Sequence, residues 1–213
     1  EVLKKALRVY NGKPIVNSVN GEEASLANIL PLVKKYGTAV VGLTLDEKGI
    51  PAKAEERFAI AERIVNKATA IGIPKEDIII DCLTLTASAE QKGVVETLKA
   101  IEMVKSRLGV KTVLGVSNIS FGLPNRGLVN HTFLAMALER GLDLAIINPN
   151  VAEMTGVIRA FRLLHAYDEN SVEFIKAYAN MPKTQTIIVS EAPAGGTAPA
   201  SAPDGDLPQL VRD

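Results

Sequence analysis

The sequence predicts an α/β fold in which helices cover a parallel sheet, and within that class it favours part of a (β/α)8 barrel. Five short apolar runs each precede a segment with helical periodicity. The runs are almost continuously apolar, as expected of strands that are buried on both faces. Most of them end in Asn, Asp or Ser, and a barrel assembles its site from several such strand ends. Neither a dinucleotide-binding nor a phosphate-binding glycine motif follows a run, which disfavours a doubly wound sheet.

The first half of the chain contains three predicted helices and two strands. Asn11 and Gly12 end the first helix, and Gly37 ends the second, because glycine readily adopts the left-handed conformation that closes a helix. The third helix has a strong apolar stripe, formed by Phe58, Ala61, Ile64, Val65 and Ala68. The predicted elements are a helix over 1–10, a strand over 14–20, a helix over 24–36, a strand over 39–45 and a helix over 54–71.

The second half continues the alternation with three further strands. The predicted elements are a strand over 78–85, a helix over 91–108, a strand over 112–117, a helix over 127–140, a strand over 144–149 and helices near 153–166 and 171–179. Five βα units cannot close an eight-stranded barrel. We therefore expect the first three βα units to be missing, and to lie before residue 1.

The composition excludes several classes of protein. Lys and Arg together number 24, as do Asp and Glu, so the net charge is zero and a basic surface for nucleic acid or membrane is not indicated. The single cysteine, Cys82, cannot form an internal disulfide, which fits a reducing compartment. No apolar run approaches the roughly 20 residues that a membrane helix requires. We therefore expect a cytoplasmic protein that binds neither nucleic acid nor a membrane.

Polar side chains lie at or just past the carboxyl ends of most predicted strands. Carboxylate and amide groups together match a planar heterocycle, because a carboxylate accepts two parallel N–H bonds while an amide both donates and accepts. The same residue types also cap helices and shape turns. Asp81 favours ligand contact, since LTLTA separates it from the next helix and places it too early for an N-cap. The candidates are Asn17, Asn20, Asp81, Ser117, Asn118 and Asn148.

Other residues give weaker indications of a site. Arg126 could bind a ligand carboxylate or pair with loop carbonyls, and the sequence supports both equally. His131 and His165 lie near helix ends and are expected to be surface or capping groups. Cys82 is expected to be a small core residue. One cysteine and two distant histidines do not suggest a metal site, and no Ser-His-Asp arrangement is indicated.

Five segments of the sequence resemble one family of enzymes: PIVNSVN, AVVGLTLDEKGIP, DIIIDCLTLTAS, TVLGVSNISFGLPNR and NHTFLAMALERGLDLAIINP. They are similar to the pterin-binding methyltransferase barrels, above all to the methyltetrahydrofolate-binding domains of cobalamin-dependent methionine synthases. Dihydropteroate synthase is a more distant relative. The resemblance covers about residues 1–180, and its most specific part is the motif at 112–126. It implies a partial, dihydropteroate-synthase-like pterin-binding barrel.

The resemblance implies roles for three of the candidates. Asn17 in NSVN is similar to an asparagine that contacts the pterin, and Asp81 in IIIDCL to the aspartate that binds the amino-pyrimidinone edge. Asn118 in GVSN resembles the asparagine near N5, the atom that bears the methyl group, and is the expected catalytic residue. In the implied reaction, cobalt(I) of a corrinoid takes the methyl group of 5-methyltetrahydrofolate, and tetrahydrofolate leaves. The further expected substrate contacts are Ser117, Asn148 and Arg126.

The predicted domains are a barrel fragment over 1–181, a Pro/Ala/Gly-rich linker over 182–206 and the start of a following module over 207–213. In the resembled synthases a linker leads to the cap of the cobalamin domain, so cobalamin is expected on a separate module that acts as a partner. This segment is expected to bind no metal itself. The missing N-terminal half of the barrel is the second expected partner, because it carries another pterin-binding aspartate in the family. We therefore expect this chain alone not to be catalytically competent.

Alternative functions remain compatible with the sequence. A free-standing methyltetrahydrofolate:corrinoid protein methyltransferase would be expected to end soon after its last helix, so the linker favours the modular synthase. A non-catalytic half-barrel could instead be stabilised by a partner chain, since open strand edges and an exposed apolar interior favour association. Dihydropteroate synthase is disfavoured, because AIINPN lacks the basic residue expected to contact a pyrophosphate.

Overall fold

Strands and helices alternate along the chain as the sequence predicts. The computed structural model describes residues 2–180, and the predicted linker over 182–206 and the module over 207–213 lie outside them, as does residue 181. The strands are β1 (Ile15–Asn20), β2 (Ala39–Leu43), β3 (Ile78–Asp81), β4 (Lys111–Gly115) and β5 (Leu144–Ile146). The α-helices are α1 (Val2–Val9), α2 (Glu23–Tyr36), α3 (Ala54–Ala70), α4 (Gln91–Met103), α5 (Arg126–Glu139), α6 (Ala152–Leu164) and α7 (Val172–Tyr178).

The five strands form one parallel sheet in the order β1-β2-β3-β4-β5. Each strand pairs with the next strand of the chain after a helical crossover, which is the arrangement of a (β/α)8 barrel. This confirms the prediction of a partial barrel. One register row runs across all five strands, through Asn20, Leu43, Asp81, Val113 and Leu144.

The sheet has a helix-covered face and an inner face, and the alternation of side chains along each strand separates them. Ile78 and Ile80 of β3 are fully buried in the large core between the sheet and the helices. Ile79 belongs to a smaller cluster on the inner face, with neighbours from β2 and β4. Asp81 follows Ile80 in this alternation, and its side chain therefore lies on the inner face at the carboxyl end of β3.

Four strands end earlier than predicted, because apolar residues continue into the loops that follow the last hydrogen-bonded pairs. The last residues of β2, β3, β4 and β5 are Leu43, Asp81, Gly115 and Ile146, instead of positions 45, 85, 117 and 149. The apolar residues beyond these points pack in loops rather than in the sheet. The helix predicted over 91–108 has the expected extent, and its last turn, Val104–Leu108, is π-helical.

The helices begin and end close to their predicted bounds. Gly37 ends α2 as predicted: its φ is 62°, and its N–H donates to Lys34 O. On α3, most of the predicted stripe is buried, but Phe58 is only partly buried, and Arg57 and Ile60 lie in the core instead. None of the helices within residues 2–180 is long and apolar enough to cross a membrane.

Candidate functional site

Asp81 ends β3 on the inner face of the sheet and is only partly buried. Its Oδ1 accepts a hydrogen bond from the Leu83 N–H at 2.8 Å. Within residues 2–180, Asp81 Oδ2 accepts no hydrogen bond and no cation pairs with the carboxylate. Leu83 has a φ of 61°, in the left-handed region that a bulky side chain seldom adopts. The backbone at Leu83 therefore has an unusual conformation, and the Leu83 N–H faces the Asp81 carboxylate.

Burial determines the protonation of Asp81. It raises the pKa of the carboxyl to about 6, and the hydrogen bond from the Leu83 N–H lowers the pKa in part. The carboxyl is thus mostly ionised at pH 7, although its environment disfavours the charge. A ligand that donates N–H groups to this carboxylate would relieve the cost of the buried charge. Asp81 therefore has the properties of a binding residue.

The turn after β4 carries two of the predicted residues. Val116–Ser120 forms a 3-10 turn on which Ser117 and Asn118 are exposed. A Cβ at Gly115 would lie 3.0 Å from Asn118 Nδ2, so glycine makes room for this amide, a role that was not predicted. The Asn118 carbonyl accepts the Phe121 N–H, whereas its side-chain amide has no hydrogen-bond partner in the described part of the chain. Both the donor and the acceptor of that amide are available to a ligand.

Hydrogen bonds join the loop after β3 to the turn after β4. The Ala87 N–H donates to Ile119 O at 2.9 Å. The hydroxyl groups of Thr86 and Ser88 both donate to Phe121 O at 2.8 Å. The loop that follows Asp81 and the turn that carries Ser117 and Asn118 are therefore in contact at the carboxyl end of the sheet.

Arg126 makes its contacts within the turn after β4. Its Nε donates to Ser120 Oγ at 2.9 Å, and its Nη2 donates to Ser117 O at 3.0 Å. The guanidinium also lies over the Phe121 ring, 4.5 Å from the ring centroid. Of the two roles that the sequence left open, these contacts correspond to pairing within the loop. Contact with a ligand carboxylate stays a prediction.

The three other candidate asparagines differ in what their side chains contact. Asn20 Oδ1 accepts the Glu22 N–H at 3.1 Å, and Asn148 Oδ1 accepts the Asn150 N–H at 3.0 Å, so both side chains shape turns. Asn17 is exposed on β1, which lies at one edge of the described sheet. Ligand contact by Asn17 and Asn148 stays a prediction.

The remaining reactive residues lie outside this group. Cys82 is fully buried in the core as predicted, and burial raises the pKa of its thiol. His165 follows α6 and pairs with Glu139 at 2.9 Å, while His131 lies in the second turn of α5 rather than the first. Residues 2–180 contain no group of three His, Cys, Asp or Glu side chains that could hold a metal ion.

Arg57 of α3 is a buried residue near the site that sequence reasoning missed. Its side chain is fully buried and donates hydrogen bonds to Pro51 O, Cys82 O, Leu83 O and Thr97 Oγ1. Position 57 lies on the apolar stripe of α3, so a charged residue at a core position was the signal available in the sequence.

Asp81 and Asn118 follow or end two neighbouring strands, and their side chains offer groups that are complementary to a planar polar ring. A carboxylate accepts two parallel N–H bonds, and an amide on the neighbouring loop can donate or accept a further one. A separate cavity of about 440 Å³ lies between the loop at 46–51 and α3, and none of the predicted site residues lines it. The candidate site therefore lies at the carboxyl ends of β3 and β4, outside this cavity.

Comparison with known proteins identifies related sequences. The family model of pterin binding enzymes matches residues 1–148. The methionine synthases of Mycobacterium leprae and Mycobacterium tuberculosis are 41% and 40% identical to the chain over 160 residues, which are 69% of this chain and 13% of each of those proteins. A methylcorrinoid:tetrahydrofolate methyltransferase of Eubacterium limosum is 29% identical over 181 residues, 84% of this chain and 67% of that protein. The chain thus spans only a small part of the mycobacterial relatives.

A solved structure supports the same assignment of the fold. DHPS from Yersinia pestis, determined with a pterin–sulfa conjugate, has a TM-score of 0.53 to this chain, covering 78% of this chain and 73% of that one. The sequence identity is 11%, so this likeness concerns the barrel architecture alone. The family model covers well over half of the sequence. The chain therefore belongs to the pterin-binding enzyme family.

Proposed function

We propose that this chain binds 5-methyltetrahydrofolate through its pterin ring and forms part of an enzyme that transfers the methyl group to a corrinoid during methionine synthesis. The observation that carries the proposal is the Asp81 carboxylate, which is ionised at neutral pH and has no cationic partner within residues 2–180. The names of the relatives, methionine synthase and methylcorrinoid:tetrahydrofolate methyltransferase, support the choice of substrate.

Asp81 would bind the amino-pyrimidinone edge of the pterin. That edge presents two parallel N–H groups, and a carboxylate is the side chain that accepts both. Asp81 Oδ2 has no partner within the described residues, and Oδ1, which already accepts the Leu83 N–H, keeps a second lone pair. Hydrogen bonds to an ionised, partly buried group are stronger than those between neutral groups. This residue would therefore supply much of the affinity for the pterin.

Asn118 would act close to N5 of the bound substrate. An amine leaves poorly unless it is protonated, so the N5–methyl bond breaks more easily once N5 carries a proton. The Asn118 amide cannot supply that proton at neutral pH, but its oxygen can accept a hydrogen bond from N5–H. A hydrogen-bond acceptor at this position would stabilise the positive charge at N5 in the transition state. The proton itself would come from solvent.

The methyl acceptor would be a corrinoid carried on a separate module. When bound, the corrinoid supplies a reduced cobalt centre that accepts the methyl group. The turn with Asn118 and the loop after Asp81 are hydrogen-bonded to one another at the carboxyl end of the sheet. The corrinoid would therefore approach the substrate from this end. We propose a pterin-binding segment over 1–181, a linker over 182–206 and the start of the next module over 207–213.

A free-standing methyltransferase is the second candidate. The Eubacterium limosum methyltransferase is matched over 67% of its length, whereas the mycobacterial methionine synthases are matched over 13%. The two candidates share the substrate and differ in whether the corrinoid module belongs to the same polypeptide. The Pro/Ala/Gly-rich stretch at 182–206 favours the modular enzyme.

A calorimetric titration of the purified chain with 5-methyltetrahydrofolate tests the proposal. We expect saturable binding that weakens about 100-fold in Asp81→Asn, because two charge-assisted hydrogen bonds are replaced by weaker or unfavourable contacts. Asp77→Asn is the matched control: Asp77 precedes the same strand at its other end and pairs with Lys13 at 2.6 Å. Equal loss of affinity in both variants, or no binding by the folded wild-type chain, would contradict the proposed site.

A further inference from the structure

The loop that follows Asp81 holds a conformation that its own sequence does not favour. Leu83 has a φ of 61°, and a branched side chain in that region is unfavourable for the backbone. The Leu83 N–H donates to Asp81 Oδ1 at 2.8 Å, so the strained residue is also the one that contacts the carboxylate. Contacts from outside the loop must therefore compensate for the strain.

Arg57 of α3 provides those contacts. Its Nη1 donates to Cys82 O at 3.0 Å and to Leu83 O at 3.1 Å, the two carbonyl groups that directly follow Asp81. Its Nε donates to Pro51 O at 2.8 Å and thereby ties the loop after β2 to the same side chain. The Arg57 guanidinium thus connects the loop after β2 to the loop after β3, both at the carboxyl end of the sheet.

Thr97 of α4 completes the attachment. Its hydroxyl oxygen accepts a hydrogen bond from Arg57 Nη1 at 2.8 Å, and its single proton faces two acceptors, Gly93 O at 2.9 Å in its own helix and Leu83 O at 3.1 Å. Arg57 and Thr97 are both buried, with exposed fractions of 0% and 1%. Two buried side chains from two helices therefore converge on the carbonyl of the strained residue.

An arginine at position 57 has a cost as well as a benefit. Burial lowers the pKa of its guanidinium, and Arg57 Nη2 is buried without a hydrogen-bond partner in the described part of the chain. An apolar side chain would avoid this cost but would leave the carbonyl groups of residues 51, 82 and 83 without these donors. The planar guanidinium fixes several carbonyl groups in one geometry, which an apolar residue cannot do.

We propose that Arg57 is a positioning residue for Asp81, which acts by holding the carbonyl groups of residues 82 and 83 so that the Leu83 N–H stays on the Asp81 carboxylate. The inference rests on the proposed function, in which Asp81 accepts the pterin N–H groups. Arg57 itself touches neither the ligand nor the carboxylate. Its effect passes through the backbone, and Thr97 supports it.

The ionisable groups around this loop are few. Burial and the Leu83 N–H are the two influences on the pKa of Asp81, and the charge of Arg57 is not among them. Cys82 interacts with both Asp81 and Arg57, and burial keeps its thiol protonated. Glu96 lies near Arg57 and accepts the Ala54 N–H at 2.8 Å. Greater exposure of Asp81 would lower this pKa, whereas loss of the Leu83 N–H would raise it, so a rise in the pKa reports the loss of that hydrogen bond.

The test measures the Asp81 carboxyl pKa in the ligand-free chain by following its carbon-13 resonance during a pH titration. We expect Arg57→Lys, which keeps the charge but loses the planar fork, to raise this pKa by about one unit. Thr97→Val should raise it by a smaller amount, about half a unit. Thr112→Val is the matched control: Thr112 is also fully buried and donates to a loop carbonyl, that of Gly141 at 3.0 Å, but at the opposite end of the sheet.

Three results would overturn the proposal. An unchanged Asp81 pKa in folded Arg57→Lys and Thr97→Val would mean that Arg57 is merely structural. An equal shift in Thr112→Val would mean that any loosening of the core moves the pKa. If Arg57→Lys does not fold, an unchanged pKa in Thr97→Val would by itself contradict the proposal. Because this readout needs no ligand, a failure to bind 5-methyltetrahydrofolate would count against the proposed function and leave the positioning comparison intact.

Discussion

The two ends of the sheet treat their carboxylates in opposite ways. At the amino end, Asp77 lies 2.6 Å from Lys13 Nζ, and Asp143 accepts the Thr112 N–H at 2.9 Å while pairing with a lysine. At the carboxyl end, Asp81 accepts one N–H from its own loop and has no cation beside it within residues 2–180. The carboxylates of Asp77 and Asp143 at the amino end thus pair with lysines, whereas Asp81 at the carboxyl end keeps an oxygen without a partner among residues 2–180.

Two uncharged side chains, one at each end, differ in a similar way. The Thr112 hydroxyl at the amino end donates to Gly141 O at 3.0 Å, and this contact joins β4 to the loop before β5. The Asn118 amide at the carboxyl end is exposed and bonds to no other described residue. Leaving buried or partly buried polar groups without partners costs stability, and proteins accept this cost mainly at functional sites. The difference between the ends therefore predicts a trade-off between folding and binding.

The largest expected effect is that Asp81→Asn stabilises the protein at pH 7. The folded state raises the pKa of Asp81 to about 6 from an ordinary value near 4, so it binds the proton more tightly than the unfolded state does. The free energy of unfolding therefore falls as pH rises through that interval, and the cost persists at pH 7. Removing the charge should increase the free energy of unfolding by on the order of 2 kcal/mol, measured by urea denaturation.

Asp77, at the amino end of the same strand, provides the control for Asp81→Asn. Asp77→Asn removes a carboxylate that has a lysine partner, so it should not stabilise the chain at pH 7. If both substitutions raised the free energy of unfolding equally, a general effect of reducing negative charge would explain the result. The two ends would then not differ in the way that we describe.

The second expected effect is a pH dependence of pterin binding. Only the ionised Asp81 accepts two N–H groups, so affinity should be constant above its pKa of about 6 and fall below it. Between pH 7 and pH 5 we expect the affinity for 5-methyltetrahydrofolate to fall about tenfold, measured by calorimetry in buffers of matched ionic strength. A flat profile in the wild-type chain would show that binding does not depend on the charge of Asp81.

The main features of this fold were predictable because they depend on local patterns. Continuous apolar runs alternating with amphipathic segments led to the parallel sheet, and the distance of Asp81 from the next helix separated it from ordinary capping residues. The identities of Asp81 and Asn118 as strand-end residues follow from the sequence in the same way. These features need no knowledge of contacts between distant segments.

The supporting contacts were not predictable, because they join segments far apart in the chain. Arg57 and Thr97 are 40 positions apart, and only their packing reveals that both hold Leu83 O. The left-handed conformation of Leu83 contradicts its residue type, so propensity would have given the wrong answer there. The 3-10 turn at Val116–Ser120 is likewise hydrogen-bonded to the loop after β3, about 30 positions earlier in the chain.

A smaller effect is expected at the amino end, from Asp143→Ala. This substitution removes the carboxylate that accepts the Thr112 N–H and pairs with Lys105. The side chains of Asp143 and Lys105 are both partly exposed to solvent. We expect the free energy of unfolding to fall by about 1 kcal/mol and the affinity for 5-methyltetrahydrofolate to stay the same. Thermal unfolding and calorimetry on the same sample measure the two quantities. A loss of affinity for 5-methyltetrahydrofolate without a loss of stability would show that the amino end of the sheet contributes to binding, contrary to our proposal.

The smallest effect distinguishes two roles of Asn148, which follows β5 at the carboxyl end. Its Oδ1 accepts the Asn150 N–H at 3.0 Å, so Asn148→Ala should destabilise the turn by about 0.5 kcal/mol. Asn148 was also predicted to bind substrate, and a role confined to the turn would leave the affinity for 5-methyltetrahydrofolate unchanged. A tenfold loss of affinity with little change in stability would instead show that Asn148 contacts the ligand. A side chain that already has a hydrogen bond within the protein would then also contribute to binding at the carboxyl end.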